Sequence, residues 1–389
     1  MNKRIYLDNA ATTPVENEVI EAMVDAMKTG FGNPSSTHSV GQQAKSMIEG
    51  VRRKVADYLK VQPGEIVFTS CGTESNNMVI KSAVTHHGVE RIITSPIEHK
   101  CVAEAVRDAK TRKGAEVVYI RPEKNGDISL EKLGELLKAS DKKTLVSLMH
   151  ANNEIGNLLD IEKVGELCKK YNALFHSDTV QTIGHLDVDF SKINIDFASC
   201  SAHKFHGPKG AGFTYIRKSS RIKPILLGGS QERELRAGTE NVAGIVGLGK
   251  ALELSMENLE KYSSHIQEVK AYTAQKLTEK IPGIKFNGRS AEEGTSLYTV
   301  LSALLPFKNP LIGLQLDMKG IAVSQGSACS SGAAKPSMVM MMVLEDDELE
   351  NCTPLRISFS HHTSKEDIDY FADALEEIYH SMQIEKTNA

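Results

Sequence analysis

The regular alternation of short apolar runs with helical stretches constrains this chain most. Residues 65–70, 91–95, 117–120 and 144–150, and a run from Leu174 ending at Asp178, read as strands, most of them apolar enough to be buried on both faces. Helical patterns run from the turn after the first of these to about His86, over 130–139 and over 161–170. That order implies the α/β class, with a mainly parallel sheet covered by helices. In such sheets ligands bind beyond the carboxyl ends of the strands, so the residues that follow each strand are the first candidates for function. Two helices are expected before the sheet, around 16–27 and over 39–59. A helical stretch from Val242 to about Lys280, read as two helices, leads to an α+β part. Its strands are expected at 286–288, 296–301 and 355–360, its helices at 310–318 and 365–379, with a frayed tail from Gln383. The expected division is a large domain, 15–255, and a small one made of 1–14 and 256–389.

Composition narrows the function classes. The 389 residues allow two domains and a large core. A quarter of the residues are charged and the net charge is −4, which suits neither a nucleic-acid nor a polyphosphate partner. No apolar run approaches the ~20 residues of a membrane helix. The start leads straight into a strand without a signal peptide, so a cytoplasmic location is expected. Six cysteines stand at 71, 101, 168, 200, 329 and 352. None forms a CxxC and no Cys/His spacing suits zinc, so no metal site is expected. Most are expected to be reduced, small core residues, Cys71 among them.

The chemistry gathers around Lys204. An apolar strand, 193–199, breaks into a polar turn carrying Ser201, His203 and Lys204, and a second strand, 212–216, leaves it. Lysine is the side chain whose desolvated amine forms a Schiff base with a carbonyl. Alone, such a lysine is more often part of an ordinary hairpin. Gly72 and Thr73 follow a strand and open a helix, an arrangement that binds anions, although Thr73 is equally a plain N-cap. Asp178 ends a strand; a carboxylate there is either a cap or a ligand contact. Arg356 is a charge in an apolar strand and needs a partner, which a structural ion pair would supply. Cys329 lies in a run of small residues, 324–335, without periodicity, where a soft nucleophile is expected to be exposed.

Ser201-Ala202-His203-Lys204 followed by Gly207-Pro208-Lys209-Gly210 resembles the pyridoxal-phosphate lysine segment of the class V aminotransferase family. Within that family the chain is similar to cysteine desulfurases of the NifS/IscS type, from Tyr6 to about Ser360. The resemblance implies a fold-type-I pyridoxal 5′-phosphate enzyme with a seven-stranded-type sheet. It implies that Lys204 holds the cofactor, that Asp178 faces the pyridine nitrogen and that Gln181 lies beside the ring oxygen. His99 would stack on the ring and handle protons. Gly72, Thr73, Ser201 and His203 would complete the cofactor site, Gly72 and Thr73 as its phosphate cradle. Asn153 would contact substrate and cofactor, with Asn152 an Asx-turn residue. The backbone of residues 9–13 would line the substrate pocket, and Arg356 would clamp the substrate carboxylate. Thr239, in a polar loop over 227–241, would reach the cofactor phosphate of a second subunit, so a homodimer is implied. The family's short motif around its catalytic cysteine matches over 326–331, with Gln325 in place of a serine.

The expected reaction is conversion of L-cysteine into L-alanine, with sulfur left on Cys329 as a persulfide. A sulfur-acceptor or iron–sulfur scaffold protein would then take it, for cluster or thio-cofactor synthesis. Selenocysteine cleavage or transamination on the same fold, and a non-catalytic sulfur-relay subunit, remain open alternatives.

Overall fold

The computed structural model describes residues 4–220, 222–325 and 336–388, with side chains to residue 383. Its centre is a seven-stranded sheet in the order β2-β8-β7-β6-β5-β3-β4. The strands are β2 (Ile66–Thr69), β3 (Arg91–Thr94), β4 (Glu116–Tyr119), β5 (Thr144–Ser147), β6 (Leu174–Asp178), β7 (Phe197–Ser201) and β8 (Gly212–Ile216). The five from β4 to β7 in that order run parallel, and β8 is antiparallel to both of its neighbours. The period-2 alternation explains why these strands read as solid apolar runs. Ile66, Phe68, Ile93 and Val146 face one core, with α1 (Asn17–Thr29), α2 (Ser39–Leu59), α5 (Leu130–Lys138), α6 (Ile161–Lys170) and α7 (Val242–Glu257). Val67, Ile92, Leu145 and Phe197 face the other, with α3 (Gly72–His86) and α4 (Lys100–Lys113). Local signals set the helix ends. Ser129 caps α5, Asp160 caps α6, and Gly114, at φ +72°, ends α4 in the left-handed region.

The second sheet has three antiparallel strands, β12 (Thr353–Ser358), β10 (Val300–Leu305) and β9 (Lys285–Phe286). Its core of Leu301, Ala303, Leu305, Leu355 and Ile357 packs on α8 (Leu259–Lys280), α9 (Ile312–Met318) and α12 (Lys365–Asn388). Two short helices, α10 (Met338–Val343) and α11 (Asp346–Asn351), precede β12. The chain's beginning belongs here too. β1 (Ile5–Tyr6) pairs in parallel with β11 (Ile321–Ala322), and Ile5 and Leu7 enter the same core.

Most expected elements are present, and four expectations change. The strand expected at 193–199 begins at Phe197. The one expected at 296–301 is β10, Val300–Leu305. Ser296 is instead drawn into a turn, its hydroxyl donating to the carbonyls of Ser290 and Glu292. The tail does not fray at Gln383: α12 continues to Asn388, carried by Ile368, Phe371, Leu375 and Ile378 buried at helical spacing. Cys71 does not face the core. It is only half-buried, as are Cys101 and Cys352, whereas Cys168 and Cys200 are core residues. Among the described residues no helix is long and apolar enough to cross a membrane.

One buried ion pair fixes the loop after β8. Arg52 on α2 forms two 2.7 Å bonds with Glu232, and both side chains are almost wholly buried. Glu232 also accepts the Phe68 N–H at 2.8 Å, and Arg52 donates to the Ile66 carbonyl at 2.8 Å. The pair pins the loop to β2 while Glu232, Arg233 and Glu234 all hold positive φ, a strained run for residues with a Cβ. Glu232→Ala would remove the bidentate partner of a buried guanidinium and leave it only the partly exposed Glu49, 3.0 Å from Nε. The expected loss is about 3–5 kcal/mol, read as a lowered unfolding temperature in calorimetry; an unchanged Tm would mean that solvent reaches Arg52.

Candidate active site

The sheet brings the singled-out residues to one edge because five strands end there. β3 and β5 are neighbours, but the chain leaves β3 for the edge strand β4 and leaves β5 in the opposite direction, toward β6. Such a reversal opens a crevice between the following loops. Into it come His99 after β3, Asn152 and Asn153 after β5, Asp178 at the end of β6 and Lys204 just after β7.

Lys204 lies in a single 3₁₀ turn, Ala202–Lys204. Its Nζ donates to the carbonyls of Ala10 at 2.6 Å and Ala11 at 2.9 Å. Desolvation, first, and the nearby Arg356 charge lower its pKa from the usual 10.5 to about 8, against the opposing charges of Asp178 and Asp8. A neutral amine has two hydrogens for those two carbonyls and one lone pair left for attack. The segment over it is sewn in place. Thr13 N–H and Oγ1 both donate to the His203 carbonyl, and the Ala10 N–H donates to Ser358 Oγ. Gln181 is buried and donates to the same Ala10 carbonyl at 3.1 Å. His203 touches Thr12 Oγ1 at 3.2 Å, and burial first, then Lys204, push its pKa down to about 4.

Asp178 is buried and heads a polar chain that sequence reasoning missed. Its Oδ2 accepts from Asn76 Nδ2 at 2.7 Å, and its Oδ1 from the Val180 N–H at 3.0 Å. Asn76 Oδ1 meets His176 Nε2 at 3.0 Å, and the other ring nitrogen meets Ser147 Oγ at 2.9 Å. Burial holds His176 at about 4, so it is a neutral donor to Asn76. The available signal was Asn76 itself, a polar residue one turn into α3 on a face otherwise filled by Ser75, Val79 and Ala83. Glu98, next to His99, was also missed. It is buried, with Oε1 accepting the Met149 N–H at 2.8 Å, and burial raises its pKa well above the carboxylate range.

His99 caps α4: its Nδ1 accepts the Cys101 N–H at 3.2 Å, so the neutral ring carries its proton on Nε2. The ring stays open to the crevice, while crowding by its walls, first, and Lys204 lower its pKa. Asn152 forms the expected Asx turn, its Oδ1 accepting the N–H groups of Glu154 and Ile155. Asn153 is half-buried, and its carbonyl accepts from Arg356 Nη1 at 2.9 Å. Arg356 Nη2 pairs with Asp8 at 2.8 Å, while its buried Nε has no partner. The structural ion pair is therefore real, and it leaves a donor over. Thr239 is exposed, in the loop whose Arg236 pairs with Glu74 at 2.8 Å. Cys329 lies outside the described residues.

These residues fit a phosphorylated pyridine aldehyde. Gly72 opens α3, and a Cβ there would lie 2.5 Å from Val180 Cγ2, so the turn needs glycine. Thr73 stands exposed in the first turn, where helix N–H groups lack intrahelical partners. Ser201 Oγ is buried in the same wall without any partner. An anion there, a protonated ring nitrogen donating to Asp178 and an aldehyde at Lys204 would satisfy all three. The lowered amine pKa has a direct consequence. In cofactor-free protein the rate of condensation with pyridoxal phosphate should rise with pH and level off above about 8, followed by absorbance. A rate still climbing toward 10.5 would mean an ordinary, solvated lysine.

The Aminotransferase class-V family pattern matches residues 5–371. The cysteine desulfurase IscS of Dictyoglomus turgidum is 41% identical, over 98% of this chain and 96% of its own length. That of Methanosarcina thermophila is 40% identical, over 98% and 93%. A solved NifS-like protein superposes with a TM-score of 0.87 at 38% identity, covering 97% of this chain and 99% of its own. The solved SspA in complex with cysteine gives 0.77 at 32%, covering 93% and 100%. With its lysine, aspartate and phosphate turn assembled at one sheet edge, the chain belongs to the pyridoxal-phosphate-dependent class V aminotransferase family.

Proposed function

We propose that this protein is a cysteine desulfurase, converting L-cysteine into L-alanine and holding the sulfur on Cys329 as a persulfide. The observation that carries the reading is the buried amine of Lys204, held on the Ala10 and Ala11 carbonyls within the field of Asp178 and Arg356. When bound, pyridoxal phosphate supplies a sink for the electron pair left at Cα after proton loss. The chain's residues do the rest. Gly72, Thr73 and Ser201 hold the phosphate. Asp178, oriented by Asn76, favours a proton on the ring nitrogen. His99, Gln181 and His203 border the ring. Lys204 would hold the aldehyde end of the group, and its Nζ would take the Cα proton of the substrate. Arg356 and Asn153 orient the substrate carboxylate. The Cys329 thiolate attacks the substrate sulfur: an S–S bond forms, the Cβ–S bond breaks, and its electron pair stays with the three-carbon fragment. Proton uptake releases that fragment as alanine.

The ends of the described chain support the place of Cys329 in this scheme. Ser324 is paired to Arg356 through both backbone hydrogen bonds, and Ser337 Oγ donates to Glu154 beside Asn153. Five residues of chain span at most about 17 Å, which bounds the distance from Ser324 to Cys329. The division into 15–255 and 1–14 with 256–389 is part of the same reading, supported by the separate cores of the two sheets. So is a homodimer in which Thr239 completes the partner subunit's phosphate site. Ile20, Val24 and Met27 form an exposed apolar stripe on α1, and Leu227 is 89% exposed, in keeping with such an interface. A cytoplasmic location and delivery of sulfur to an acceptor or iron–sulfur scaffold protein complete the proposal.

The deciding experiment measures alanine from L-cysteine with a thiol reductant, wild type beside Cys329→Ala. Alanine from the wild type alone supports the desulfurase. Alanine from both means lyase chemistry that bypasses Cys329, and none from either, with cofactor bound, overturns the substrate. Arg356→Lys keeps the charge but loses the fork. The expected drop in kcat/KM is about 10–100-fold, mostly in KM, from lost charge-assisted hydrogen bonds; an unchanged KM would assign Arg356 to structure only.

A further inference from the structure

At the far wall of the cleft that starts at Lys204, the chain gathers a carboxylate and three imidazoles that the reaction above does not use. Glu16 precedes α1, and His361 and His362 lie in the turn after β12. Glu16 Oε1 is 3.2 Å from His361 Nε2 and 2.8 Å from His362 Nε2. One ligand atom from each residue lies within 4.8 Å of the others. His206 Nδ1 is a further neighbour of the same oxygen, at 3.1 Å. We propose that Glu16, His361 and His362 form a three-ligand site for a divalent transition cation of the zinc type.

Geometry and chemistry agree on this class. A tetrahedral zinc with bonds of ~2.0–2.1 Å sets its ligand atoms about 3.3 Å apart; the two Glu16–histidine distances, 3.2 and 2.8 Å, lie near that value, with all three ligand atoms within 4.8 Å of one another. Two imidazoles and one carboxylate suit zinc or its first-row neighbours and leave a fourth position open. The ligands are also held in place. The His361 ring stacks on Tyr262 with centroids 3.9 Å apart and planes within 6°. The turn is fixed by mutual bonds between Ser360 and Thr363, and His265 Nε2 donates to the Thr363 carbonyl at 2.9 Å. His206 donates from Nδ1 to the Pro14 carbonyl at 2.9 Å, which makes it an outer partner rather than a ligand. His362 is 54% exposed, which gives an ion its entry path.

A cation here ties the start of α1 to the turn that closes the second sheet, across the wall that His206 and His361 share with Lys204. The test uses cofactor-loaded Cys329→Ala protein, stripped with a chelator and titrated with cobalt(II), with zinc(II) as competitor. This background removes the reactive thiol, and since binding is read without turnover, failure of the desulfurase reading would not affect it. The expected result is one equivalent per chain, with visible d–d bands, no sulfur charge-transfer band, displacement by zinc and a Tm raised by the metal. His362→Ala and Glu16→Gln should each weaken binding at least ~10-fold, while the metal-free His362→Ala protein, altered at a half-open side chain, keeps the parent Tm. No d–d bands, equal affinity in the variants, or a thiolate band would overturn the site.

Discussion

The contact on which the structure depends is the lysine amine held against two carbonyls of a segment nearly two hundred residues earlier in the chain. Ala10 and Ala11 receive Lys204 Nζ, while Ala10 N–H and Asn9 are bonded to Ser358 on the second sheet. The N-terminal segment thus joins the two sheets at the point where the amine must be desolvated. Without it, Lys204 would be an ordinary loop lysine near its usual pKa. With it, the amine is short of water, supplied with two acceptors and, with a pKa of about 8, far more available as the free base near neutral pH than a solvated lysine.

Around that amine, opposite demands are met by separation. Asp178 is a buried carboxylate whose oxygens accept hydrogen bonds from Asn76 and the Val180 N–H rather than pairing with a direct cation. Arg356 must remain positive beside a lysine meant to lose its charge. Its pairing with Asp8 neutralises part of that field, and the residual repulsion still lowers the lysine pKa. A stronger Lys204–Asp178 pair would have stabilised the ammonium and removed the base. The buried Arg52–Glu232 pair has a different use, holding a loop in which Glu232, Arg233 and Glu234 all have positive φ.

Much of the site was legible because its chemistry is local. Lys204, Asp178, Gly72 and His99 each follow a strand, where an open α/β sheet presents its ligands, and a family resemblance supplied their roles. Asn76, His176 and Asp8 were not legible. Each acts through a side chain that comes from another element, and apart from the place of Asn76 on an inward face of α3 nothing in their own neighbourhoods marks them. The strand at Val300–Leu305 was placed too early because Ser296 bonds its local backbone, a competition that alternating hydrophobicity does not register. The tail was read as frayed because it is a chain terminus, yet residues buried earlier in α12 carry the helix on to Asn388.

Alone, the sequence determined the class of fold, the order of its elements and the identity of the reactive groups. Hydrophobic period, glycine and cap positions, and the chemistry of each side chain are properties of short stretches. The tertiary structure decided which residues meet. It set the amine on Ala10 and Ala11, put Asn76 under Asp178, gave Arg356 to Asp8, and drew Glu16 to His361 and His362. Those contacts span up to several hundred residues, and the free energies that shift a pKa or gather ligands depend on distance and burial rather than on sequence spacing.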